Sequence, residues 1–535
     1  MLFMRLRLNN HGFYGTINSI NRDLQGIAGT NRKGYSFMKN HPIHILISLL
    51  LLVSLLCCTA PVSLAEPSEA VYALPIFETS DTHGRLADIS TDSCQYRMAY
   101  ISDKVKDVRG SGADYRKDLA VLLDGGDIYQ GYPMSNLLGG QSLAAAYELM
   151  DYDAVTIGNH EFDWGIEKTV QNDKTMMDST LEGASVVNDT PVVLCNLYLN
   201  GEKVPFTYDY VLLNKTARDA EGNELPVKIA VIGFAEDYSD SIMYSRFTGL
   251  GYSIDENFAI AEAIAAELES SGACDATVLL CHAEAKAMAN GLSSDSVIDL
   301  VLGGHTHYNA NGTTASGLRY MQPACNGQAY AYAELTFTAA EGEPVFNGVK
   351  HAWYYSTVSD TSKLLDLPEN AEELDAEVIT LTETVLDKLG DVLNTQVGYI
   401  TTPALRYVYL PDSGERSTTA GNWMCSIFRR AVDADVGFFN AGGIRDDMEP
   451  AEGEDRRVIT VSDLYTLFPF ENKIYCYELT YEEFLLLMQY ALTSNGSSLL
   501  SRMEGIDVYF TDQTVNAIVT RDGETVYANG NWKIV

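Results

Sequence analysis

Five apolar segments of this chain each end in residues whose side chains commonly bind metal ions. In chain order the endings are Asp81-Thr82-His83, Gly126-Asp127, Gly158-Asn159-His160, Cys281-His282 and His305-Thr306-His307. In an open α/β fold, the loops at the carboxyl edge of the sheet carry the chemistry. The sequence therefore predicts one shared site, built from five loops at the carboxyl edge of a sheet.

The seven candidate ligands comprise two carboxylates, one amide oxygen and four imidazoles. They are Asp81, His83, Asp127, Asn159, His282, His305 and His307. Oxygen and nitrogen donors without a thiolate favour Zn, Mn, Fe or Co over Ca or a structural cysteine-rich zinc site. Seven ligands exceed the needs of one tetrahedral ion, but they suit two divalent ions that share a carboxylate. Two such ions can clamp a phosphoryl group and supply hydroxide.

Each motif taken alone has an ordinary structural explanation. The segment Asp81-Thr82-His83-Gly84 by itself is more often a turn than a site, and His282 alone would more often be a partly buried histidine. The segment from Asn159 to Asp163 could begin a capped helix. The prediction of a metal site therefore rests on the occurrence of all five endings within one domain-sized stretch.

The elements that must position these loops follow from the hydrophobic pattern. Between about residues 70 and 355, β-rich apolar segments alternate with helical patterns such as Glu256–Ser270, which indicates an α/β sheet. Further antiparallel strands are predicted at Ala329–Thr338 and Val349–Tyr355. We therefore predict an α/β domain over residues 70–355.

A helix and a second domain are predicted to follow. One apolar stripe at helical spacing is formed by Leu374, Val378, Leu381, Val385 and Leu389. This helix, within residues 356–393, either joins two domains or opens the second one. Residues 394–535 are predicted to form a smaller α+β domain, with a short strand at 434–439 and a capped helix at 481–493.

The net charge of the 535-residue chain is −37, since 73 acidic residues oppose 36 basic ones. Such a charge argues against non-specific binding of nucleic acid and predicts high solubility. An anionic substrate would be repelled by the field of the whole protein, so its binding requires local positive charge. Bound divalent metal ions would supply that charge.

The first 65 residues have the pattern of a targeting region. Met38-Lys39 precedes an apolar segment, Ile45–Cys58, and small residues at Ser63 and Ala65 fit cleavage after Ala65. The apolar segment is too short for a comfortable membrane span. We therefore predict an N-terminal extension and signal peptide over residues 1–65, export to the periplasm, cell surface or exterior, and no stable membrane span after cleavage. An uncleaved N-terminal anchor is the alternative.

The same motifs resemble those of a known enzyme family. In the order typical of calcineurin-like metallophosphoesterases, the chain has Asp81-x-His83, Gly126-Asp127-x-x-Gln130-Gly131, Gly158-Asn159-His160-Glu161-Phe162-Asp163, His282 and Gly304-His305-x-His307. Two C-terminal segments are similar to the 5′-nucleotidase branch of that family, namely Asn440-Ala441-Gly442-Gly443-Ile444-Arg445 and Pro469-Phe470-Glu471-Asn472. The resemblance covers about residues 72–535.

The resemblance implies a fold and a set of roles. The implied fold is a four-layer α/β/β/α metallophosphoesterase sandwich, a linker helix, and a smaller α+β 5′-nucleotidase C-terminal domain. One divalent ion would be held by Asp81, His83, Asp127 and His307, and the other by Asp127, Asn159, His282 and His305. The implied catalytic dyad is His160 and Asp163, in which His160 stabilises charge on the phosphoryl oxygens or helps the leaving alcohol depart.

In the family the C-terminal domain recognises the nucleoside. The resemblance assigns this role to Asn440, Gly443, Arg445 and Phe470, with Phe470 stacked on the base. Without the resemblance, Phe470 could equally be a core residue beside a proline, and Arg445 could form a surface salt bridge.

The C-terminal part departs from the family pattern in three places. Ala441 replaces a glycine of the family motif, and Arg416 lies two positions out of register with a family arginine. Family members continue past a final strand, here Trp532–Val535, into a Gly-Gly-Asp-Gly-aromatic segment that this sequence lacks. We therefore expect a C-terminal domain truncated at its end, and weaker clamping of the base.

The resemblance implies an exported dinuclear-metal phosphoesterase that hydrolyses 5′-nucleotides, with nucleotide sugars as further candidates. Its partners would be small nucleotides and not nucleic acid. The alternatives on the same scaffold are a 2′,3′-cyclic-nucleotide phosphodiesterase and a sulfur-ester hydrolase. An alternative of another class is a non-catalytic, metal-stabilised surface binding protein, against which the spare His160 beside the metal ligands argues.

Overall fold

The computed structural model describes residues 70–89, 94–356, 374–406, 418–470, 473–493, 503–511, 514–520 and 532–534. The predicted signal peptide, with Ile45–Cys58 and Ala65, lies outside the described residues, as does Arg416. Among the described residues, no helix combines the length and the apolarity needed to cross a membrane.

The strands of the first part precede residue 357, and those of the C-terminal part follow residue 394. The first set is β1 (Tyr72–Thr79), β2 (Asp88–Ile89), β3 (Cys94–Gln95), β4 (Val121–Asp124), β5 (Ala154–Val155), β6 (Leu197–Leu199), β7 (Glu202–Lys203), β8 (Tyr210–Arg218), β9 (Glu224–Ala235), β10 (Tyr252–Ile254), β11 (Ala276–His282), β12 (Leu300–Leu302), β13 (Ala310–Thr313), β14 (Arg319–Gln322), β15 (Ala329–Ala340) and β16 (Glu343–Ser356). The second set is β17 (Gln396–Ile400), β18 (Gly437–Phe438), β19 (Arg457–Thr460), β20 (Tyr477–Leu479), β21 (Met503–Glu504), β22 (Ile506–Thr511), β23 (Thr514–Thr520) and β24 (Trp532–Ile534).

The α-helices within the described ranges are distributed over both parts. They are α1 (Arg97–Arg109), α2 (Pro133–Asn136), α3 (Gln141–Met150), α4 (Ala259–Ser270), α5 (Ala285–Gly291), α6 (Ala376–Leu393), α7 (Thr419–Ala431), α8 (Val461–Leu467) and α9 (Tyr481–Thr493). A short 3-10 helix spans Asn159–Phe162.

Eleven strands form one mixed sheet that consists of two halves. The first half has the order β5-β4-β1-β15-β16, in which β1, β4 and β5 are parallel. The second half has the order β8-β9-β11-β12-β14-β13, in which β9, β11, β12 and β14 are parallel. The halves are joined where Ala73 of β1 pairs with Arg218 of β8.

Side chains of the central strands alternate between two layers because successive residues of a strand face opposite ways. Ile76 of β1 and Val278 of β11 are buried in one apolar core, so the two halves of the sheet face each other. Phe77 points the other way, into a core that includes α1, α3 and α6. Leu279 of β11 is buried with α4 and α5. The layers are therefore helix, sheet, sheet and helix, as predicted.

Helix α6 packs on the first part of the chain through its apolar stripe. All five stripe residues are buried, and Val378 and Val385 lie in the same core as α1 and α3. The N-terminus is fixed by Asp375, whose side chain accepts a hydrogen bond from the Glu377 backbone N–H at 3.0 Å. The same carboxylate accepts from Ser102 and pairs with Lys106 Nζ at 2.7 Å, which ties the helix to α1.

The C-terminal part is a smaller α+β arrangement of two-stranded sheets and three helices. Its strand pairs are β17 with β19, β18 with β21, β20 with β24, and β22 with β23. One core forms where Phe484 and Met488 of α9 pack with Val436. The predicted capping box is present, because Thr480 and Glu483 exchange side-chain and backbone hydrogen bonds of 2.8 and 3.3 Å.

Two predicted elements are shorter than expected. Helix α4 begins at Ala259 and not at Glu256, because the Asn257 side chain accepts a hydrogen bond from the Ala259 backbone N–H and holds a turn before the helix. Strand β18 covers Gly437–Phe438 and not residues 434–439, because within the described residues its pairing with β21 extends over Met503–Glu504.

The Asp375→Ala variant should lower the free energy of unfolding by about 1–2 kcal/mol, since loss of an N-cap residue costs about that much. Urea denaturation followed by circular dichroism measures the change. The matched control is Asp387→Ala on the exposed face of the same helix, with an expected change below about 0.5 kcal/mol. Equal effects of the two variants would show that the cap does not anchor the helix.

Candidate metal centre

Five strand ends bring the predicted metal ligands together. The loops after β1, β4 and β5 and the loop after β12 contribute six of them, and the seventh is the last residue of β11. In chain order they are Asp81, His83, Asp127, Asn159, His282, His305 and His307. The first five are buried, and the last two are partly exposed. These strands come from both halves of the sheet, so the site lies where the two halves end.

Five of the seven candidate ligands have a left-handed backbone conformation. The φ angles are 52° for Asp81, 47° for His83, 58° for Asp127, 70° for His305 and 64° for His307. Positive φ is uncommon for residues other than glycine, and such strained positions concentrate at functional sites. The strain has a local cause here, because the chain must turn sharply after each strand to aim a side chain at a common point.

One group of ligand atoms comes from Asp81, His83, Asp127 and His307. These atoms all lie within 4.8 Å of one another. His83 Nε2 lies 2.9 Å from His307 Nε2 and 3.8 Å from Asp127 Oδ2, and His307 Nε2 lies 3.4 Å from Asp81 Oδ1. Two imidazole nitrogens and two carboxylates therefore converge on one small volume.

A second group comes from Asp127, His282 and His305, and it shares the Asp127 carboxylate with the first. His282 Nε2 lies 3.3 Å from Asp127 Oδ2 and 3.2 Å from His305 Nδ1. The amide oxygen of Asn159 completes the group at 3.3 Å from His282 Nε2. The two groups are thus the two ligand sets that the sequence resemblance implies.

The spacing of these atoms fits divalent metal ions. Ligands held about 2.0–2.1 Å from a tetrahedral ion lie about 3.3 Å from one another, and the observed separations of 2.9–3.8 Å bracket that value. The ring orientations fit as well. The Nδ1 atoms of His83 and His282 lie 2.9 and 2.7 Å from the backbone oxygens of Gln130 and Gly125, so each Nδ1–H donates outward and leaves Nε2 free to bind.

Charges within the centre are strongly coupled. Burial raises the pKa of the Asp127 carboxyl, but His282 and His160 outweigh it and bring the pKa well below its usual value. Burial lowers the pKa of His282, and Asp127 reverses this and raises it to about 10. Burial and the neighbouring His282 lower the pKa of His305 to about 4. Histidine must be neutral to bind a metal, so a cation that binds here would release any proton that these imidazoles carry.

Glu161 organises the ligand loops, a role that was not predicted from the sequence. Its carboxylate is buried and accepts three backbone hydrogen bonds, from Asp127 N at 2.9 Å, Ile128 N at 2.8 Å and Gly158 N at 2.7 Å. It therefore ties the loop after β4 to the loop after β5. The signal was present in the sequence, as an acidic residue within the Gly-Asn-His-Glu-Phe-Asp motif that no metal requires.

Gly158 is required by the close approach of the same two loops. A Cβ at this position would overlap Oδ1 of Asp127 and lie 2.7 Å from its backbone nitrogen. The absence of a side chain at Gly158 therefore allows the shared carboxylate to sit against the neighbouring loop, where the His160 backbone N–H donates to Asp127 Oδ1 at 2.8 Å.

His160 and Asp163 form the predicted dyad beside the ligands. His160 Nδ1 lies 2.7 Å from Asp163 Oδ2, and this contact directs the other ring nitrogen away from Asp163. His160 Nε2 lies 3.3 Å from Arg445 Nη2, and the His160 ring stacks on Phe470 at 5.4 Å. Burial lowers the pKa of His160, while Asp127 and Asp163 raise it above its usual value overall.

The predicted nucleoside-binding residues line the same cavity as the ligands. Asn440, Gly443, Arg445 and Phe470 face Asp127, Asn159, His305 and His307 across a cavity of about 790 Å³. The Arg445 guanidinium lies 4.9 Å from the centre of the Phe470 ring. Arg406 also lines this cavity and donates to the backbone oxygen of Arg445. Arg406 lies outside every recognised motif, so its place in this cavity was not predicted from the sequence.

The C-terminal part contacts the ligand loops directly. The backbone oxygen of Pro469 accepts hydrogen bonds from Gln130 Nε2 at 2.9 Å and from Asn136 Nδ2 at 2.7 Å. Gln130 is also the residue whose backbone oxygen orients His83. Phe470, next to Pro469, is therefore positioned by the segment that follows Asp127.

Two family models match the chain. Residues 74–309 match the model described as calcineurin-like phosphoesterase, and residues 396–535 match the 5′-nucleotidase C-terminal domain. The seven candidate ligands lie in the first range, and the predicted nucleoside-binding residues lie in the second.

Curated relatives and a solved structure agree with these matches. The chain is 24% identical over 484 residues to a trifunctional nucleotide phosphoesterase protein, YfkN, of Bacillus subtilis, covering 83% of this chain and 29% of YfkN. It is 22% identical over 548 residues to the cell wall protein Lmo0130 of Listeria monocytogenes, covering 92% of this chain and 66% of Lmo0130. The chain thus spans less than two thirds of the length of either relative. A Thermus thermophilus 5′-nucleotidase precursor shares the fold, with a TM-score of 0.60, 17% identity, and coverage of 86% of this chain and 88% of that one.

The layered sheet and its ligand-bearing strand ends are those of the calcineurin-like phosphoesterase class. More narrowly, the chain belongs to the 5′-nucleotidase family, in which such a domain is followed by the 5′-nucleotidase C-terminal domain. The description of the model that matches residues 74–309, a calcineurin-like phosphoesterase, agrees with the expectation of a hydrolase.

Replacing the shared carboxylate should weaken metal binding by both groups. In Asp127→Asn we expect loss of the bound metal from both groups, whereas His282→Gln should affect one, because only Asp127 belongs to both. Metal content per chain after dialysis, and calorimetric titration with Zn or Mn, measure the difference. The control is His351→Gln, whose side chain is 67% exposed. Equal losses in the two site variants would contradict the shared role of Asp127.

The Glu161→Gln variant tests whether the Glu161 carboxylate holds the ligand loops in position. The amide would set its own N–H groups against backbone donors, so we expect metal affinity to fall about 10–100-fold, as for other groups that support ligands from behind. Calorimetric titration gives the affinity, and circular dichroism checks the fold. Unchanged affinity would mean that the ligand loops hold their positions without this carboxylate.

Proposed function

We propose that this chain is an exported phosphoesterase that uses two divalent metal ions to hydrolyse 5′-nucleotides to nucleoside and phosphate. The observation that carries the proposal is the position of His160. It is bonded to Asp163, belongs to neither ligand group, and faces a cavity shared by the candidate ligands and the C-terminal residues. A site that only bound metal would have no use for this arrangement.

The proposed ligands divide as the geometry groups them. Asp81, His83, Asp127 and His307 would hold one ion, and Asp127, Asn159, His282 and His305 the other. When bound, the ions would offset the negative charge of the phosphoryl oxygens and lower the pKa of water. They would also supply the local positive charge that an anionic substrate needs in a chain with a net charge of −37.

His160 is proposed to act on the substrate itself. Because Asp163 accepts from Nδ1–H, the Nε2 atom faces the cavity, where it could hold or move a proton. There it would stabilise a phosphoryl oxygen or protonate the leaving alcohol. Arg445 Nη2, 3.3 Å from this nitrogen, would contribute a guanidinium to the same oxygens.

The nucleoside is proposed to bind against the C-terminal part. The Phe470 ring is available for stacking at the rim of the metal cavity, and stacking on an aromatic ring is worth about 1–3 kcal/mol per base. Asn440 and Gly443 line the same cavity and would contact the sugar or the base.

Export is proposed on two grounds. The sequence contains the apolar segment Ile45–Cys58 followed by small residues up to Ala65, as in a signal peptide. A relative along most of the chain is described as a cell wall protein.

Two alternatives use the same scaffold, and one does not involve catalysis. A 2′,3′-cyclic-nucleotide phosphodiesterase or a sulfur-ester hydrolase would need the same metal ligands, so substrate profiling distinguishes them. A non-catalytic binding protein would show no turnover, and loss of the dyad would leave its metal binding unchanged. The bond between His160 and Asp163 favours the catalytic alternatives.

The direct test measures phosphate release by the purified protein from AMP, UDP-glucose and 2′,3′-cyclic AMP, with Mn or Co and with a chelator. We expect turnover of AMP that requires metal. His160→Asn should lower kcat by about 10²–10⁴-fold with little change in KM, since general acid–base catalysis contributes that much.

The matched control is His351→Asn, which removes an exposed histidine outside the cavity and should leave kcat unchanged. Metal-independent turnover, or no turnover of any of the three substrates, would rule out the proposed mechanism.

A further inference from the structure

A second cavity lies next to the metal cavity and shares three residues with it. This cavity has a volume of about 370 Å³, and Asp163, Met243 and Phe470 line both. Its other walls include Trp164, Lys168, Arg246 and Lys473, with Tyr475 beside them. The seven candidate ligands are not among the lining residues, so the proposed metal chemistry does not explain this cavity.

The cavity concentrates positive charge in an acidic chain. Lys168, Arg246 and Lys473 line it, and within the described residues none of the three forms an ion pair within 4.0 Å. Several other cations in the described part of the chain are paired, such as Arg109 with Asp153 at 2.6 Å. Three unpaired cations in one cavity are unexpected where acidic residues outnumber basic ones by 73 to 36.

The cavity fits an anionic ligand that carries a ring, because its acidic group is already engaged and its aromatic groups lie beside the cations. Among the described residues of the lining, Asp163 carries the one carboxylate, and it is bonded to His160 and so is already engaged. Trp164 and Tyr475 offer ring faces beside the cations, and Tyr475 is 54% exposed. Cations interleaved with aromatic rings are a common means of binding the phosphates and bases of nucleotides.

We propose that this cavity binds a second phosphate group carried by the nucleoside side of the substrate. The inference rests on the proposed function, because the first phosphate must occupy the metal cavity. A nucleotide whose 5′-phosphate lies at the metals would pass Phe470 and place a distal phosphate among Lys168, Arg246 and Lys473. The preferred substrates are then nucleotides with two separated phosphate groups.

Two sources could supply the distal phosphate, and both share the same chemistry. One is a phosphomonoester, as in adenosine 3′,5′-bisphosphate. The other is the phosphodiester of a 5′-phosphorylated dinucleotide, whose second base would meet Trp164 or Tyr475. The test compares AMP, adenosine 3′,5′-bisphosphate and the dinucleotide pApA, with chromatography to confirm that the 5′-phosphate is released.

For the wild-type protein we expect kcat/KM to be about tenfold higher for the doubly phosphorylated substrates than for AMP. The difference should come from a lower KM, with kcat little changed. The combined variant Lys168→Gln, Arg246→Gln and Lys473→Gln should remove this preference. The combined variant Lys228→Gln, Lys350→Gln and Lys388→Gln removes the same charge from exposed residues outside the cavity and should keep the preference.

Salt provides a second measurement that does not depend on a variant. Raising the ionic strength to about 1 M, where the Debye length is about 3 Å, should reduce the preference of the wild-type protein for two phosphates. A preference for the bisphosphate alone identifies a terminal phosphate as the ligand, and a preference for pApA identifies a linked nucleotide.

Equal kcat/KM for all three substrates would overturn the inference while AMP turnover still supports the proposed function. A preference that survives in the Lys168, Arg246 and Lys473 variant would overturn it as well. Absence of metal-dependent turnover of every substrate would instead overturn the proposed function.

Discussion

The site depends on the contacts of the Asp127 carboxylate with histidines of both ligand groups. Its Oδ2 atom lies 3.3 Å from His282 Nε2 and 3.8 Å from His83 Nε2, so one side chain belongs to both ligand groups. A buried carboxylate in this position needs compensation on every side, and the neighbouring loops supply it. The His160 backbone donates to Oδ1, Glu161 fixes the Asp127 backbone, and Gly158 leaves room for the carboxylate. The two halves of the sheet share one apolar core and each packs on helices through a further core, so the fold is stabilised away from the strained loops.

Much of this arrangement follows from the sequence, because strand ends and ligand types are local features. The five apolar segments identified the loops, and the helix-sheet-sheet-helix layering follows from alternation along the strands. Other features depend on how separate loops approach one another, which no local pattern encodes. Glu161 shows this, because its role depends on backbone donors more than 30 residues away. Arg406 shows it as well, since it reaches the cavity from a segment without a motif.

The acidic character of the chain repels an anionic substrate, whereas the proposed chemistry of the site requires one to bind. A net charge of −37 repels nucleotides at long range, so attraction must come from groups at short range. The fold places those groups around Phe470, with Arg406 and Arg445 on one side and the Lys168 cavity on the other. Positive charge is therefore available on both sides of Phe470, where the proposed phosphate groups would lie. Such an arrangement favours selectivity for compact anions over indiscriminate binding of polyanions.

Gln130 connects the candidate metal centre to the C-terminal part of the chain. Its backbone oxygen holds the His83 ring, and its side chain donates to the backbone oxygen of Pro469 beside Phe470. A metal bound to His83 would therefore also restrain Gln130, which holds the backbone beside Phe470. Thermodynamic linkage is reciprocal, so if a nucleotide bound more tightly to the metal-loaded centre, that nucleotide would raise the affinity for metal by the same factor. The proposed metal and nucleotide would then be heterotropic effectors of each other, coupled through a single residue, Gln130.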